Sequence, residues 1–262
     1  MTTKIVLLSF DVEEFDMPFE YGGNPSMTQQ ITTSNEGLLK FLSVLEKYNA
    51  KATFYTTGVY ATAMPDQILK MSKTHEIASH NHFHSSHKKE DLSNSKKILE
   101  TITNQKVIGF RMPRMAPVPN QDLIDAGYKY NASVNPCWLP GRYDMRNISR
   151  NPFKKNNLLQ FPASVSPKFR IPLFWIAFHN FPLWFFFYLC KRVVKTDGYL
   201  HLYFHPWEFT EYTKASDGSK YPFYLHRNNG DKMLKRFTKL MEFLKKEGFE
   251  FQTTGSFLKN LI

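Results

Sequence analysis

The chain has 262 residues, 42% hydrophobic and 22% charged, which supports one sizeable core and excludes a disordered, collagen-like or coiled-coil chain. Two cysteines, Cys137 and Cys190, exclude a disulfide-built scaffold and a four-cysteine zinc site, and point to a reducing compartment. The formal charge is +11, with 24 Phe, 13 Tyr and 4 Trp.

Lys4 to Phe10 is a short apolar run that reads as a buried first strand. It is too short for a signal peptide and lacks a small-residue cleavage site, so the expected location is cytoplasmic. Asp11 to Ser34 reads as a loop, with Gly22-Gly23-Asn24-Pro25-Ser26 as turn chemistry. Ser34 to Tyr48 carries Leu38, Leu39, Phe41, Leu42 and Leu45 at helical spacing, with Ser34 or Asn35 as N-cap. Lys51 to Thr57 is a second strand, Pro65 to Ser72 a helix, and Glu76 to Ser79 a strand entering a histidine-rich loop. Lys88 to Asn104 is a polar helix, Val107 to Phe110 a strand, Asn120 to Ala126 a helix, and Tyr128 to Ser133 a strand. Leu200 to Phe204 is a strand, Asp231 to Glu247 a helix closed by Gly248, and Glu250 onward a last strand. Strands alternate with helices, which predicts a parallel sheet with outer helices: an open sheet or a (β/α) barrel. Its chemistry belongs at the C-terminal ends of the strands.

The charge is concentrated. Arg142 to Lys195 holds ten basic residues and one acid, Asp144, a net of +9. Within it, Ile171 to Cys190 has no Lys, Arg, Asp or Glu, and nine of its residues are aromatic. His179, Asn180 and Pro182 in its middle, and few Leu or Val, argue against a membrane span. An aromatic block flanked by Lys and Arg suits contact with an anionic membrane surface; a core helix or a lid over a cleft is the plainer alternative. No nucleic-acid motif accompanies the basic residues, so no nucleic-acid partner is expected.

Four groups fall at strand ends: Asp11-Val12-Glu13-Glu14, His80-Asn81-His82-Phe83-His84, Arg111-Met112-Pro113, and His205. Surface acids in loops are common, histidine-rich loops can be merely solvated, and a lone histidine is usually a satisfied core residue. Together, at strand ends, they are the raw material of a divalent-metal site. Spacing alone permits His82 in place of His80 or His84.

With these motifs in order, Ser9-Phe10-Asp11-Val12-Glu13, His80 to His84, Arg111-Met112-Pro113 and Leu202-Tyr203-Phe204-His205, the chain resembles the polysaccharide deacetylases of the NodB-homology type (carbohydrate esterase family 4) from Lys4 to Phe209. The resemblance implies an α/β fold, a distorted (β/α) barrel of fewer than eight strands. The whole chain, 1–262, would be one catalytic domain with an aromatic and basic insertion at about 142–195. One divalent metal, most commonly zinc, would be held by Glu13, His80 and His84. Asp11 would be the general base toward the attacking water, Arg111 its partner, and His205 the general acid for the leaving amine. The metal, helped by a backbone N–H near the third motif, would stabilise the oxyanion. Pro113, Trp138 and Trp207 are the expected substrate contacts. The implied reaction removes N-acetyl groups from a surface polysaccharide or its lipid-linked sugar precursor; the basic, aromatic segment without an export signal makes the inner membrane face the expected place of work.

The sequence also departs from the family. The second motif acid is Glu13, not Asp, with Glu14 beside it. No fourth-motif acid to tune His205 is evident: Asn131 stands where relatives often carry Asp, and Glu208 is the substitute candidate. The usual glycine-rich segment after Arg170-Ile171-Pro172 is replaced by Leu-Phe-Trp-Ile-Ala-Phe, implying a more apolar cleft. Two rival readings use the same barrel: a metal-free hydrolase of small cyclic amides or ureides, and a non-catalytic glycan- or lipid-binding protein.

Overall fold

The computed structural model describes residues 3–214, 218–259 and 261. The first two residues and residues 260 and 262, at the ends of the expected 1–262 unit, lie outside them. The strands are β1 (Lys4–Val12), β2 (Thr53–Thr56), β3 (Glu76–Ser79), β4 (Gly109–Phe110), β5 (Tyr130–Val134), β6 (Trp138–Leu139), β7 (Tyr143–Asp144), β8 (Phe153–Lys155), β9 (Leu158–Pro162), β10 (Tyr199–Phe204) and β11 (Phe249–Gln252). The α-helices are α1 (Met27–Lys47), α2 (Gly58–Ala63), α3 (Pro65–Ser72), α4 (Lys89–Thr103), α5 (Asn120–Asp125), α6 (Trp175–Asn180), α7 (Leu183–Asp197), α8 (Phe223–His226), α9 (Asp231–Lys246) and α10 (Thr254–Lys259).

The main sheet runs β10-β1-β2-β3-β4-β5-β9-β8, with β11 also against β1. All its pairings are parallel except the β8–β9 hairpin. Its two sides meet beyond β9, where the Ser164 amide donates to the His201 carbonyl at 2.9 Å. The sheet therefore curls into a distorted, incompletely closed barrel, as the resemblance implies, but among the described residues it holds nine strands and not fewer than eight, because β8 and β11 add to its edges. β11 and β2 take successive stretches of the same edge of β1.

Alternation along β1 sorts its side chains. Val6, Leu8, Phe10 and Val12 join the outer layer under the helices, while Leu7 joins the barrel interior. Phe10 stacks on Phe41 of α1 at 4.2 Å and meets Phe237 of α9 edge-on at 5.9 Å, so much of the phenylalanine content is core. At the lower end, α10 plugs the interior with Phe257 and Leu258.

Three elements differ from the sequence reading. Helix α1 starts at Met27, not near Ser34, because Ser26 and Gln29 form a reciprocal capping box; Ser34 is buried inside the helix. The added first turns are rich in Thr and Gln and carry no apolar period. Helix α2 occupies a stretch, Gly58–Ala63, to which the sequence pattern assigns no element. The window 142–195 does not stand apart as an insertion: it supplies β8 and β9 to the main sheet, and α7 buries Phe186, Leu189, Cys190 and Val193.

Gly37, in the middle of α1, has a packing reason. A Cβ there would lie 1.8 Å from the carbonyl oxygen of Pro206. Its absence lets α1 press against the turn that follows β10.

Candidate active site

Strand register assembles the site. Phe10 pairs with Phe204, so the next residues, Asp11 and His205, meet at the upper rim. Val12, Thr56 and Ser79 are aligned across β1, β2 and β3, which puts Glu13 and His80 in one layer. Ser79 pairs with Phe110, and the His80 ring then reaches the Arg111 carbonyl, with Nδ1 at 2.8 Å.

Arg111 is fully buried and every part of it is engaged. It donates to Asp11 Oδ1 at 2.6 Å, to Ser9 Oγ at 3.0 Å, to His201 Nε2 at 3.1 Å and to the Ala132 carbonyl at 3.1 Å. Its guanidinium lies between the rings of Tyr55, at 4.0 Å, and Tyr203, at 5.0 Å. Burial opposes its charge, but Asp11, Tyr55 and Tyr203 together outweigh burial and raise its pKa. His201 Nδ1 donates to the Pro162 carbonyl at 3.1 Å, so its Nε2 is an acceptor for Arg111. Burial, then the Arg111 charge, push the His201 imidazole down to about 3, and it stays neutral.

Glu13, His80 and His84 lie together with ligand atoms within 4.8 Å of one another. One oxygen of Glu13 is 3.1 Å from Nε2 of each histidine. The opposite ring nitrogens face acceptors: His80 Nδ1 the Arg111 carbonyl, and His84 Nδ1 the Asp16 carboxylate at 2.7 Å. Those nitrogens must carry protons, so each ring directs its Nε2, the nitrogen left to bind a cation, toward the Glu13 carboxylate. That arrangement suits a cation, and a second acceptor holding each ring is the usual support of a histidine ligand. Burial alone raises the Glu13 carboxyl, but His84, His80 and His205 together hold it well below the usual carboxylate range. Burial opposes charge on His84, while Glu13 and Asp16 raise it to about 9.

Glu14 points elsewhere. It accepts from the His84 amide and from Thr57 Oγ, both at 2.7 Å, and braces the loop. His82 is also outside the group. Asn81 adopts a left-handed conformation, φ 65°, and swings the next residue away. His82 then packs where Gly58 leaves room: a Cβ on Gly58 would be 2.3 Å from His82 Nδ1.

On the far side of Asp11, His205 Nε2 stands 3.8 Å from Asp11 Oδ2. Its Nδ1 donates to Glu208 Oε1 at 3.0 Å, and its backbone amide donates to the same oxygen. Burial lowers the His205 pKa, yet the Glu208 hydrogen bond and the charges of Glu13, Glu208 and Asp11 raise it overall. The other Glu208 oxygen is 3.0 Å from His179 Nε2. Trp175, one turn before His179 on α6, meets the rings of His179 at 5.9 Å and His205 at 5.4 Å. Sequence reasoning missed His179 and Trp175 as site residues; a Trp and a His four apart in an uncharged block were the available signal.

These groups open on a cavity of about 360 Å³ whose walls include Tyr21, Leu139, Tyr143, Trp175, Ile176 and Tyr224. Its wall is largely aromatic and aliphatic, as the substituted Leu173 to Phe178 segment implies. Pro113 and Trp138 do not line it, although their neighbours Met115 and Leu139 do; Trp138 is exposed under Arg146. Trp207 lines it, but its indole N–H is committed to Glu13 Oε1 at 3.1 Å. At the mouth, Glu20 accepts from Arg114 and Arg142, both at 3.0 Å.

The polysaccharide deacetylase family model matches residues 2–131, and a domain of unknown function (DUF3473) matches residues 132–259. No curated protein matches the chain. A structure described as a polysaccharide deacetylase from Mycobacterium smegmatis superposes with TM-score 0.66 at 16% identity, covering 99% of this chain and 90% of that one. Puue allantoinase superposes with TM-score 0.65 at 13% identity, covering 97% and 88%. A CE4 family pseudoenzyme from Bacillus anthracis superposes with TM-score 0.54 at 13% identity, covering 97% and 65%. At these identities the likeness is one of fold.

Proposed function

The chain belongs to the polysaccharide deacetylase family, hydrolases of amide C–N bonds, and from that premise we propose that it is a metal-dependent enzyme removing N-acetyl groups from a surface polysaccharide or its lipid-linked sugar precursor. The observation that carries the reading is the convergence of two imidazole Nε2 atoms on one Glu13 oxygen, with both opposite nitrogens tied to acceptors. Two imidazoles and one carboxylate are a fitting donor set for zinc in an open catalytic site. A divalent cation held by Glu13, His80 and His84 would supply Lewis acidity toward the acyl oxygen and toward water.

Asp11 is the proposed general base. Arg111 takes one of its oxygens and leaves the other facing His80 and His205 at 4.0 and 3.8 Å. The buried guanidinium fixes the direction of the Asp11 carboxylate. His205 is the proposed general acid. The Glu208 hydrogen bond and the nearby acids raise its pKa against burial, which favours the protonated ring whose Nε2–H would serve the departing amine. Asp11 takes a proton from the attacking water, His205 gives one to nitrogen, and acetate and a free amino sugar leave.

The matched segments meet at residues 131 and 132, inside β5, so both contribute to one sheet. This supports reading the chain as one catalytic unit. Asp11, Glu13, His80, His84 and Arg111 come from the first segment and His205 from the second.

Location at the inner membrane face is part of the same proposal. Among the described residues no helix is long and apolar enough to cross a membrane. Helix α7 presents Trp184, 72% exposed, and Tyr188 on its outer side, followed by Lys191, Arg192 and Lys195. Aromatic side chains beside basic ones are the two signals of peripheral attachment to anionic lipid. Phe186 is buried core, so the test belongs to Trp184 and Tyr188: changing both to Ser is expected to release the protein from anionic vesicles, and unchanged pelleting would sink the membrane element.

The central test is metal analysis and acetate release from N-acetylated oligosaccharides, for wild type, Glu13→Ala and His80→Ala. About one metal per chain in the wild type, lost in both variants with acetate release, is expected. A chain that takes up no zinc or cobalt, or forms a ring-opened acid from a cyclic amide, would move the assignment to the metal-free hydrolase. That second reading has the allantoinase-like fold in its favour.

A further inference from the structure

Glu208 has two faces, and the reaction proposed above uses only one. Oε1 accepts from the amide and Nδ1 of His205. Oε2 is 3.0 Å from Nε2 of His179, and both residues are completely buried. A carboxylate offers no proton, so His179 Nε2 must donate. The other nitrogen of that ring, Nδ1, is buried and has no hydrogen-bond partner among the described residues.

An imidazole placed only to fill space is a poor choice here, since it buries a polar atom that nothing satisfies. What it supplies is, among the described residues, the one donor-capable ring nitrogen at Oε2, 3.0 Å away. The donors on Glu208 fall on both of its oxygens, and the carboxylate is thereby held in one rotamer. That rotamer presents Oε1 to His205 Nδ1, and His205 Nε2 then faces Asp11 and the cavity. Helix α6 builds the arrangement: Trp175 and His179 are one turn apart on a face that packs on His205 and Glu208.

We infer that His179 is a positioning residue for the proposed acid His205, acting through Glu208. The inference rests on the deacetylase reading for the role of His205. Helix α6 would thus be a support of the site built from the segment of unknown function, and neither a lid nor a membrane anchor.

Two variants of the full-length, metal-loaded protein test it. His179→Phe keeps the ring and its contact with Trp175 but removes the donor. His179→Gln restores an N–H at nearly the same reach. For His179→Phe the expected result is a kcat loss of roughly ten- to a hundredfold with KM changed less than about twofold. His179→Gln should recover most of kcat. A structural role alone would lower thermal stability without separating kcat from KM, and Gln would not rescue it. The Nδ1–H proton signal of His205 reads the same arrangement without turnover: it should be sharp and downfield in wild type and His179→Gln, and broadened or shifted in His179→Phe. An unchanged signal and unchanged kcat in His179→Phe would overturn the inference. A wild type that releases no acetate would overturn the deacetylase reading instead, and the His205 signal would still judge His179.

Discussion

Trp207 donates its indole N–H to Glu13 Oε1 at 3.1 Å, joining the turn after β10 to the residue after β1. The same indole stacks on His205 at 4.7 Å. One side chain therefore orients a candidate metal ligand and the proposed acid, and couples their positions.

Replacing it tests that coupling. Trp207→Phe keeps most of the stacking area and removes the donor. Metal affinity, measured by competition with a chelator, is expected to fall roughly ten- to a hundredfold, the usual effect of losing an outer hydrogen bond to a ligand. An unchanged affinity would show that the bond does not orient Glu13.

The two adjacent acids should separate cleanly. Glu13→Ala is expected to abolish metal binding. Glu14→Ala should retain full stoichiometry with weakened affinity, because Glu14 holds the His84 amide and Thr57 and does not face the ring nitrogens. Metal content after dialysis decides, and equal loss in both would contradict the assignment.

Gly37 lets α1 approach the Pro206 carbonyl. Gly37→Ala inserts a methyl where there is no room, at an overpacking cost of about 1–3 kcal/mol. It gains up to about 1 kcal/mol in helix propensity, which offsets part of this cost. Net destabilisation in urea titrations, with a fall in kcat as the His205 turn shifts, is the expected pair of results. Stabilisation by the alanine would mean the helix relaxes without strain.

Arg111 sits in a buried network, so truncation leaves the Asp11 charge unpaired. Arg111→Met is expected to cost about 3–5 kcal/mol of stability as well as activity. Arg111→Lys should not restore either, since a point charge cannot make the forked contacts to Asp11, Ser9 and His201. Full rescue by lysine would show that charge alone suffices.

The neutral His201 has a pH signature. Its pKa is near 6.5 in an unfolded chain and about 3 in the fold. Between those values the unfolded state binds the extra proton, so stability falls as pH drops below about 6.5. Depressed carboxylates such as Glu13 act in the same direction, but only below their unfolded pKa of about 4.3. From pH 6.5 to 5, urea midpoints of wild type should decline, and those of His201→Gln should decline less. Equal slopes would remove His201 from the account.

Much of the framework was legible along the chain. Alternating strands and helices, and acid, histidine and arginine groups at strand ends, are short-range patterns, because side-chain period and turn chemistry act over a few residues. From them an open sheet or a (β/α) barrel with its chemistry at the strand ends could be read; the choice of Asp11, Glu13, His80, His84, Arg111 and His205 rested on the resemblance to the deacetylases. What the chain could not reveal depended on register, backbone handedness and packing between distant segments. Glu13 rather than Glu14 reaches the histidines because the inward face of β1 alternates, and His82 turns away because Asn81 is left-handed. The Arg142 to Lys195 window joins the sheet through β9, a pairing with β5 that no local pattern announces. Glu208 bridges His205 and His179, residues from two elements brought together only when α6 packs over the end of β10. Periodicity is inherited from the local backbone, whereas such partnerships exist only once the tertiary structure has closed.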